Sequence, residues 1–322
     1  FGAPRYIWDN MANYSFLKEA KVYIVSGSTK LQIDINSISF SQTFTEQTRS
    51  VKTVHDQTNW FEGSVINSAN PANFELKTNL LIEDDTRIVY DQMISGGGAF
   101  DLYVKTAAVI EDGVEISATV FKLDDCVITN GQINIERLRP LSLTISGEAK
   151  KLLTGQSLPS GMVLRSADSS RTYNLCPELT VLLDPGQASE QDLSSELRSL
   201  SLELQHEVEW TPYKTVNKAV EGTTQYPSGF KFGNKILAGS IARYLTDTND
   251  ANVQTFALNK GLQIKAGTTS GSSFYGINFN STNCTFTNRV TPSEVFTQSF
   301  DWRMAQNTGG NIDNVLTYTT QS

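Results

Sequence analysis

Two histidines, three cysteines and a few paired aspartates are the side chains with which this 322-residue sequence would have to do chemistry. His55 and His206 lie far apart and sit in neither a His-Glu-x-x-His nor a Gly-x-Ser-x-Gly setting, so each reads as a surface or interface histidine. Asp84-Asp85 and Asp124-Asp125 look like carboxylate pairs. Neighbours in a strand point to opposite faces, however, and neighbours on a helix diverge by about 100 degrees, so neither pair can share a proton. Gly96-Gly97-Gly98 follows an expected helix instead of a strand, the wrong order for a loop that cradles phosphate. Asp247-Thr248-Asn249-Asp250 resembles a calcium loop in passing but lacks its glycine and closing glutamate. Cys126, Cys176 and Cys284 are odd in number and widely spaced, which suggests neither a disulfide framework nor a zinc site and favours assembly in a reducing compartment. Asn-x-Ser/Thr sites at Asn13, Asn280 and Asn283 would matter only after secretion. The reading is of a protein that is not an enzyme and needs no cofactor or metal.

A different kind of chemistry lies between Leu200 and Trp210. Leu200, Leu202, Leu204 and Val208 alternate there with Ser201, Glu203, Gln205, Glu207 and Glu209, which gives a strand with one apolar face and one acidic stripe. Earlier in the chain, Ser39, Ser41, Thr43, Thr45 and Gln47 occupy matching places, polar and uncharged. A stripe of this kind is either a solvated face or the wall of a water-filled bore. Either way the leucines fix the register, because a shift by one residue would bury the carboxylates.

The two stretches match because Leu31–Leu81 has a worn second copy from Leu193 to Leu237. Ile38-Ser39-Phe40-Ser41, Val51-Lys52-Thr53-Val54, Asn70-Pro71-Ala72-Asn73-Phe74 and Leu80-Leu81 recur in order as Leu200-Ser201-Leu202-Glu203, Tyr213-Lys214-Thr215-Val216, Tyr226-Pro227-Ser228-Gly229-Phe230 and Ile236-Leu237. The length change falls between the second and third landmarks, where a loop absorbs it best. Lys21–Val25 is matched by Leu179–Leu183, Cys126–Asn130 by Cys284–Asn288, and Leu141–Ile145 by Phe300–Met304.

Around these landmarks the chain divides into an arm (1–13), a first domain (14–153), a Gly/Pro/Ser-rich linker (154–171), a second domain (172–308) and a tail (309–322). Met11-Ala12-Asn13 reads as an ordinary start, with Phe1 left by trimming or by an upstream start, and the opening residues lack the order of a signal peptide. Leu31–Phe44 alternates with a slip near Asn36-Ser37 that suggests a bulge. Glu46–Ser64 suits a long hairpin loop. Asp84–Ile94 is the best helix, with acids in its first turn and Ile88, Val89 and Met93 on one face; a counterpart near Ala242–Val253 reads poorly. A hairpin turns at Glu111-Asp112-Gly113. Each half therefore holds several short strands and one short helix, a mainly β protein of two tandem β-sandwich or barrel domains. The net charge of -8 argues against a surface built to grip nucleic acid but not against one over which nucleic acid passes. No apolar run approaches the roughly 18 residues of a membrane span, and no membrane partner is expected.

The strand from Ile38 to Phe44, the long loop, the Asn70-Pro71-Ala72-Asn73-Phe74 entry into the next strand and the short helix after it resemble the tail tube (major tail) proteins of bacteriophages. The resemblance covers nearly the whole chain. It implies that inner sheets join around a ring, and that a chain with two tube domains makes a pseudo-hexameric ring as a trimer. It implies Ser39, Ser41, Thr43, Glu203, Gln205, Glu207 and Glu209 facing the lumen, and Val51, Lys52, Asp56, Trp60, Phe61, Tyr213 and Lys214 in loops that contact the next ring. Its partners would be copies of itself, a tape measure protein and other tail proteins, with DNA passing through unbound on its way into the host. Its place would be the virion, after assembly in the host cytoplasm. The competing reading is a β-rich binding module of a virion, a receptor-binding or decoration protein.

Overall fold

A computed structural model describes residues 20–51, 61–83, 86–95, 100–106, 109–111, 114–116, 118–136, 138–164, 172–195, 197–211, 226–227, 229–245, 260–292, 294–305 and 312–321; residues 46–51, 61–67, 109–111, 114–116 and 312–313 are described by their backbone alone. Strand β1 (Lys21–Ser26) turns at Gly27, whose φ of 58° lies in the left-handed region that favours glycine, into β2 (Thr29–Ile33). The slip near Asn36-Ser37 is not a bulge. There the chain leaves β2 and starts β3 (Ser37–Ser41), which pairs with a different neighbour. Asn36 N–H donates to Lys77 O at 2.7 Å and Thr78 Oγ1 to Asp34 O at 2.6 Å, which fixes the crossing. Strands β4 (Phe44–Val51) and β5 (Phe61–Ala69) pair as a separate ribbon, so the expected loop from Glu46 to Ser64 is strand over 46–51 and 61–64, while 52–60 falls outside the described residues.

Alternation is cleanest in β6 (Ala72–Asn79), where Ala72, Phe74, Leu76 and Thr78 are buried and Asn73, Glu75 and Lys77 are exposed. Helix α1 (Arg87–Ser95) begins later than expected, so its first turn holds no acidic residue, and it buries Val89, Tyr90, Met93 and Ile94. After it come β7 (Phe100–Lys105), the small hairpin β8 (Val109–Glu111) and β9 (Val114–Ile116), and the long strands β10 (Val120–Ile135) and β11 (Ser142–Leu153). The second half holds β12 (Glu178–Leu183), β13 (Gln191–Asp192), β14 (Leu197–Trp210), β15 (Phe230–Tyr244), β16 (Lys260–Ser270), β17 (Ser273–Thr291) and β18 (Thr297–Met304). Ala242, where a second helix reads poorly, lies in β15; residues 246–253 of that stretch fall outside the described residues. A single turn, α2 (Ile312–Val315), and β19 (Leu316–Thr319) close the chain.

Seven strands of each half pair, all antiparallel, in one order. In the first half it is β2-β1-β7-β10-β11-β6-β3, and in the second β13-β12-β16-β17-β18-β15-β14. Both halves carry the same bulge: register steps from Phe100↔Cys126 to Leu102↔Leu123 in one and from Lys260↔Cys284 to Leu262↔Ser281 in the other. Both also fill a hole above a glycine with a ring from the paired strand. A Cβ on Gly147 would lie 2.7 Å from the Phe74 ring, and one on Gly239 would lie 2.7 Å from the Trp302 ring. The glycine is on β11 in the first half and on β15, the counterpart of β6, in the second.

The halves meet where β14 pairs with β10, from Asn130↔Gln205 to Ile135↔Leu200, and one antiparallel sheet continues through both. A single buried cluster runs with it, from Ile24 and Leu102 to Leu262 and Trp302. The described part of the expected linker packs on the first half. Leu158 and Met162 lie against Tyr23, Tyr103 and Val120, and Val163 exchanges backbone hydrogen bonds with Lys30 and Gln32 at 2.9 and 3.0 Å. At the C-terminus β19 pairs with β17, and Tyr318 reaches back to donate to Leu81 O, so this segment ties the halves together.

Candidate functional site

Across eight strands, the sheet presents one polar face. From Ser37 the register runs through Lys77, Thr144, Gln132, Glu203 and Ala238 to Arg303 and Thr285. One residue along, on the opposite face, Ile38, Leu76 and Ile145 face the core. Partners in antiparallel register share a face, so the alternation read in single strands becomes a continuous surface once the strands are paired.

Ser39 and Ser41 lie on this polar face, exposed, as do Gln205, Glu207 and Glu209, while Glu203 is half-buried. Asn130 and Gln205 both donate to Glu203 Oε1, at 2.9 and 3.0 Å, across and along the joint between the halves. Glu207 accepts the backbone N–H of Asn234 at 3.2 Å. Thr43 lies beyond the end of β3: its carbonyl accepts Asn70 N–H and its hydroxyl accepts Asn70 Nδ2, both at 2.9 Å, as the chain turns into the β4–β5 ribbon. Thr45 lies in β4, off this face. The acidic stripe is confined to β14. Lys231 stands opposite Glu209, Lys77 pairs with Glu75 at 3.1 Å, and Arg303 and Arg289 stand opposite Thr285 and Ser299, so the face as a whole is mixed in charge.

Of the expected loop residues, Val51 ends β4 opposite Phe61, which opens β5. Lys52, Asp56, Trp60, Tyr213 and Lys214 fall outside the described residues, as do His55 and the pairs at 84–85 and 247–250. An aromatic ladder at the end of the β14–β15 pairing escaped the sequence reading. Trp210, Phe230 and Phe232 stack edge-on with centroids 5.7 and 5.2 Å apart, and the Trp210 indole donates to Glu148. Its only signal in the sequence is Trp210 before a long connection and Phe230 and Phe232, at alternate positions, after it.

Several other titratable groups are tied into the framework. Asp124 and Asp125 point to different partners: Lys122 bonds Asp124 at 2.5 Å and Asp101 at 2.9 Å, and Lys150 bonds Asp125 at 3.2 Å. Burial alone would lower the Lys122 ammonium, but its hydrogen bonds to Asp124 and Asp101 hold it above its ordinary value. All three cysteines are free and buried. Burial pushes the Cys176 thiol up to about 12 and Cys284 up to about 11, and Cys126 well above its ordinary value, so at neutral pH none is a ready nucleophile. Among the described residues no group of His, Cys, Asp or Glu is placed to hold a metal ion, and no helix is long and apolar enough to cross a membrane.

At the joint, helix α1 of the first half is clasped by the second. His206 Nε2 donates to Met93 O at 2.9 Å, and Lys235 Nζ to Ile94 O and Ser95 O at 3.3 and 3.1 Å, where the helix C-terminus favours a cation. Met93 in turn fills the space above Gly131 of β10. Burial pushes the His206 imidazole below its ordinary value; the bond to Met93 opposes this and the Lys235 ammonium adds to it. His206 is therefore a neutral core histidine, buried at the joint.

Elsewhere the sheet is left open. Among the described residues, no strand pairs with the outer edge of β3, or with β17 beyond Cys284 on the side away from β18. No curated protein matches the sequence. A family model described as the bacteriophage baseplate tube protein family matches residues 12–313. With nearly the whole chain covered by that match, this mainly β protein, a structural tube component of a phage virion, belongs to the bacteriophage baseplate tube protein family.

Proposed function

We propose that the chain is a duplicated tube domain, residues 14–153 and 172–308, and that three copies close into a pseudo-hexameric ring whose bore is lined by the polar sheet face. One observation carries the reading: two sets of seven strands share one pairing order and one bulge, and the sheet of the first set continues into the second. A repeated unit that already joins its twin edge to edge has the geometry to join further copies the same way, and closure of such a sheet into a barrel removes its edges. The residues lining the bore would include Ser39, Ser41, Glu203, Gln205, Glu207 and Glu209. Interleaved with Lys77, Lys231 and Arg303, these offer phosphates no run of cations, so DNA slides through without being held. The stretches 52–60 and 212–225, which lie in the sequence between β4 and β5 and between β14 and β15, would contact the next ring or a neighbouring tail protein, and the 1–13 arm would reach an adjacent subunit.

Negative-stain microscopy of the purified protein tests this directly. Hollow rings or short tubes with a central channel are expected. Monodisperse monomers at high concentration would sink the reading and favour a discrete binding module.

A further inference from the structure

Within each half, strand register fixes which positions correspond. Cys126 pairs with Ala149 as Cys284 does with Met304, and Gly131 with Ile145 as Asn288 does with Phe300. Continuing outward, Ile145 faces Leu76 and Leu76 faces Ile38, as Phe300 faces Ile241 and Ile241 faces Leu200. The place of Ile133 in β10 is thus that of Val290 in β17, and the place of Leu202 in β14 is that of Phe40 in β3. Ile133 and Leu202 are partners across the joint, and each is 1% exposed. Val290, with no partner strand on that side among the described residues, is 39% exposed, and Phe40 is half-buried. The joint inside the chain therefore has its two components repeated, unjoined, at the two ends of the same sheet.

Among the described residues, neither edge carries the lysine, proline or bulge with which monomeric proteins often protect sheet edges. Strand β3 reads Ser-Ile-Ser-Phe-Ser, without lysine, proline or bulge, and Phe286–Thr291 carries Arg289 as its one charge. Among the described residues each edge lacks a partner strand and leaves an apolar side chain only partly covered, Phe40 half-buried against Phe121 and Val290 39% exposed, and each end has the form of the other's missing neighbour.

We infer that the free edge of β3 in one copy pairs antiparallel with the free edge of β17 in a second copy, in the register of the β10–β14 joint. Phe40 then stands opposite Val290, Ser41 opposite Arg289 and Ser39 opposite Thr291. On the core side Phe40 covers Val290 as Leu202 covers Ile133. On the other side the polar face runs on from Arg289 to Ser41 without interruption. The partner is a second copy of this chain, and the inference rests on the ring reading while adding which edges meet and in what register.

Cysteine cross-linking tests it. Two double variants, Phe40→Cys with Val290→Cys and Ser41→Cys with Arg289→Cys, bracket the register: pairs alternate between hydrogen-bonded and non-hydrogen-bonded, so one of the two has its Cβ atoms close enough for a disulfide. Phe40→Cys with Asn288→Cys is the out-of-register control, and the in-chain pair Gln132→Cys with Glu203→Cys is the positive control. The substituted intermolecular positions lie at the sheet edges, and unchanged circular dichroism confirms folding. On mild oxidation most of the chain of at least one in-register variant should shift from the monomer band to reducible covalent dimers and closed trimers, while the control stays monomeric. Rings visible by microscopy with neither in-register variant cross-linking, or with the control cross-linking better, overturn the pairing and leave the ring standing. Cross-linked open chains without rings support the pairing and sink the ring. Neither rings nor cross-links sinks both.

Discussion

Strands β10 and β17 occupy the same place in their halves, yet among the described residues β10 is covered on both edges along its distal stretch and β17 on one. The residues at stake are similar, Ile133 in one and Val290 in the other, and their own strands pair alike with β11 and β18. What differs is whether a third strand lies alongside. In β10 that strand is β14 of the same chain, secured by the clasp of His206 and Lys235 on α1. In β17 the place is open among the described residues. The same local sequence logic thus gives a core position in one half and an exposed apolar edge in the other, which is what a unit made to be joined repeatedly would show.

The largest effect should separate these two positions. Ile133→Asp places an unpaired carboxylate in the joint and should cost more than about 4 kcal/mol, enough to unfold the chain in urea titrations. Val290→Asp should change monomer stability by less than about 0.5 kcal/mol yet abolish assembly in sedimentation velocity. Equal losses of stability at both positions would erase the distinction.

The likeness of the halves can be probed next. A Cβ on Gly147 would lie 2.1 Å from Val127 O and one on Gly239 2.1 Å from Ser201 O, both rigid backbone atoms. Gly147→Ala and Gly239→Ala should each cost about 2–3 kcal/mol by chemical denaturation, and by similar amounts. Gly131→Ala meets the flexible Met93 side chain instead, and should cost about 1 kcal/mol.

Smaller still are the effects at the clasp. The His206 imidazole is held below its ordinary value of 6.5, so the unfolded chain takes up its proton first. Stability from this site is whole above about pH 6.5 and declines as pH falls toward the lowered folded value, by at most about 1.4 kcal/mol per pH unit. His206→Gln should flatten that part of the stability–pH curve; an unchanged slope would place the titration elsewhere. Lys235→Ala, which removes a cation from the α1 C-terminus, should cost about 0.5–1 kcal/mol and loosen hydrogen exchange in α1 before the sheet.

Much of this was legible in the sequence. The alternation from Leu200 to Glu209 fixes which face of β14 is buried, because a strand has period two and only one phase hides the leucines. Composition and turn residues give the β class, and Cys126 and Cys284 do fall at matching bulges. Where the reading slipped, partners across strands were the reason. Phe74, matched by sequence with Phe230, stands in the sheet where Gly239 stands, because ring and hole have changed strands between the halves and neither residue alone reports the exchange. Leu141, matched with Phe300, is displaced by four residues, since Ile145 holds that place and the turns before β11 and β18 differ in length. The stripe of Glu203, Glu207 and Glu209 is a property of one strand, and only the neighbours brought alongside by pairing set Lys231 and Arg303 into the same face. What the sequence determined by itself is what depends on neighbours along the chain: period, turn and class. Which edges are covered, which are left open, and what charge the assembled face carries depend on residues distant along the chain, from Glu209 and Lys231, 22 positions apart, to Asn130 and Gln205, 75 apart, and were decided only when the strands paired.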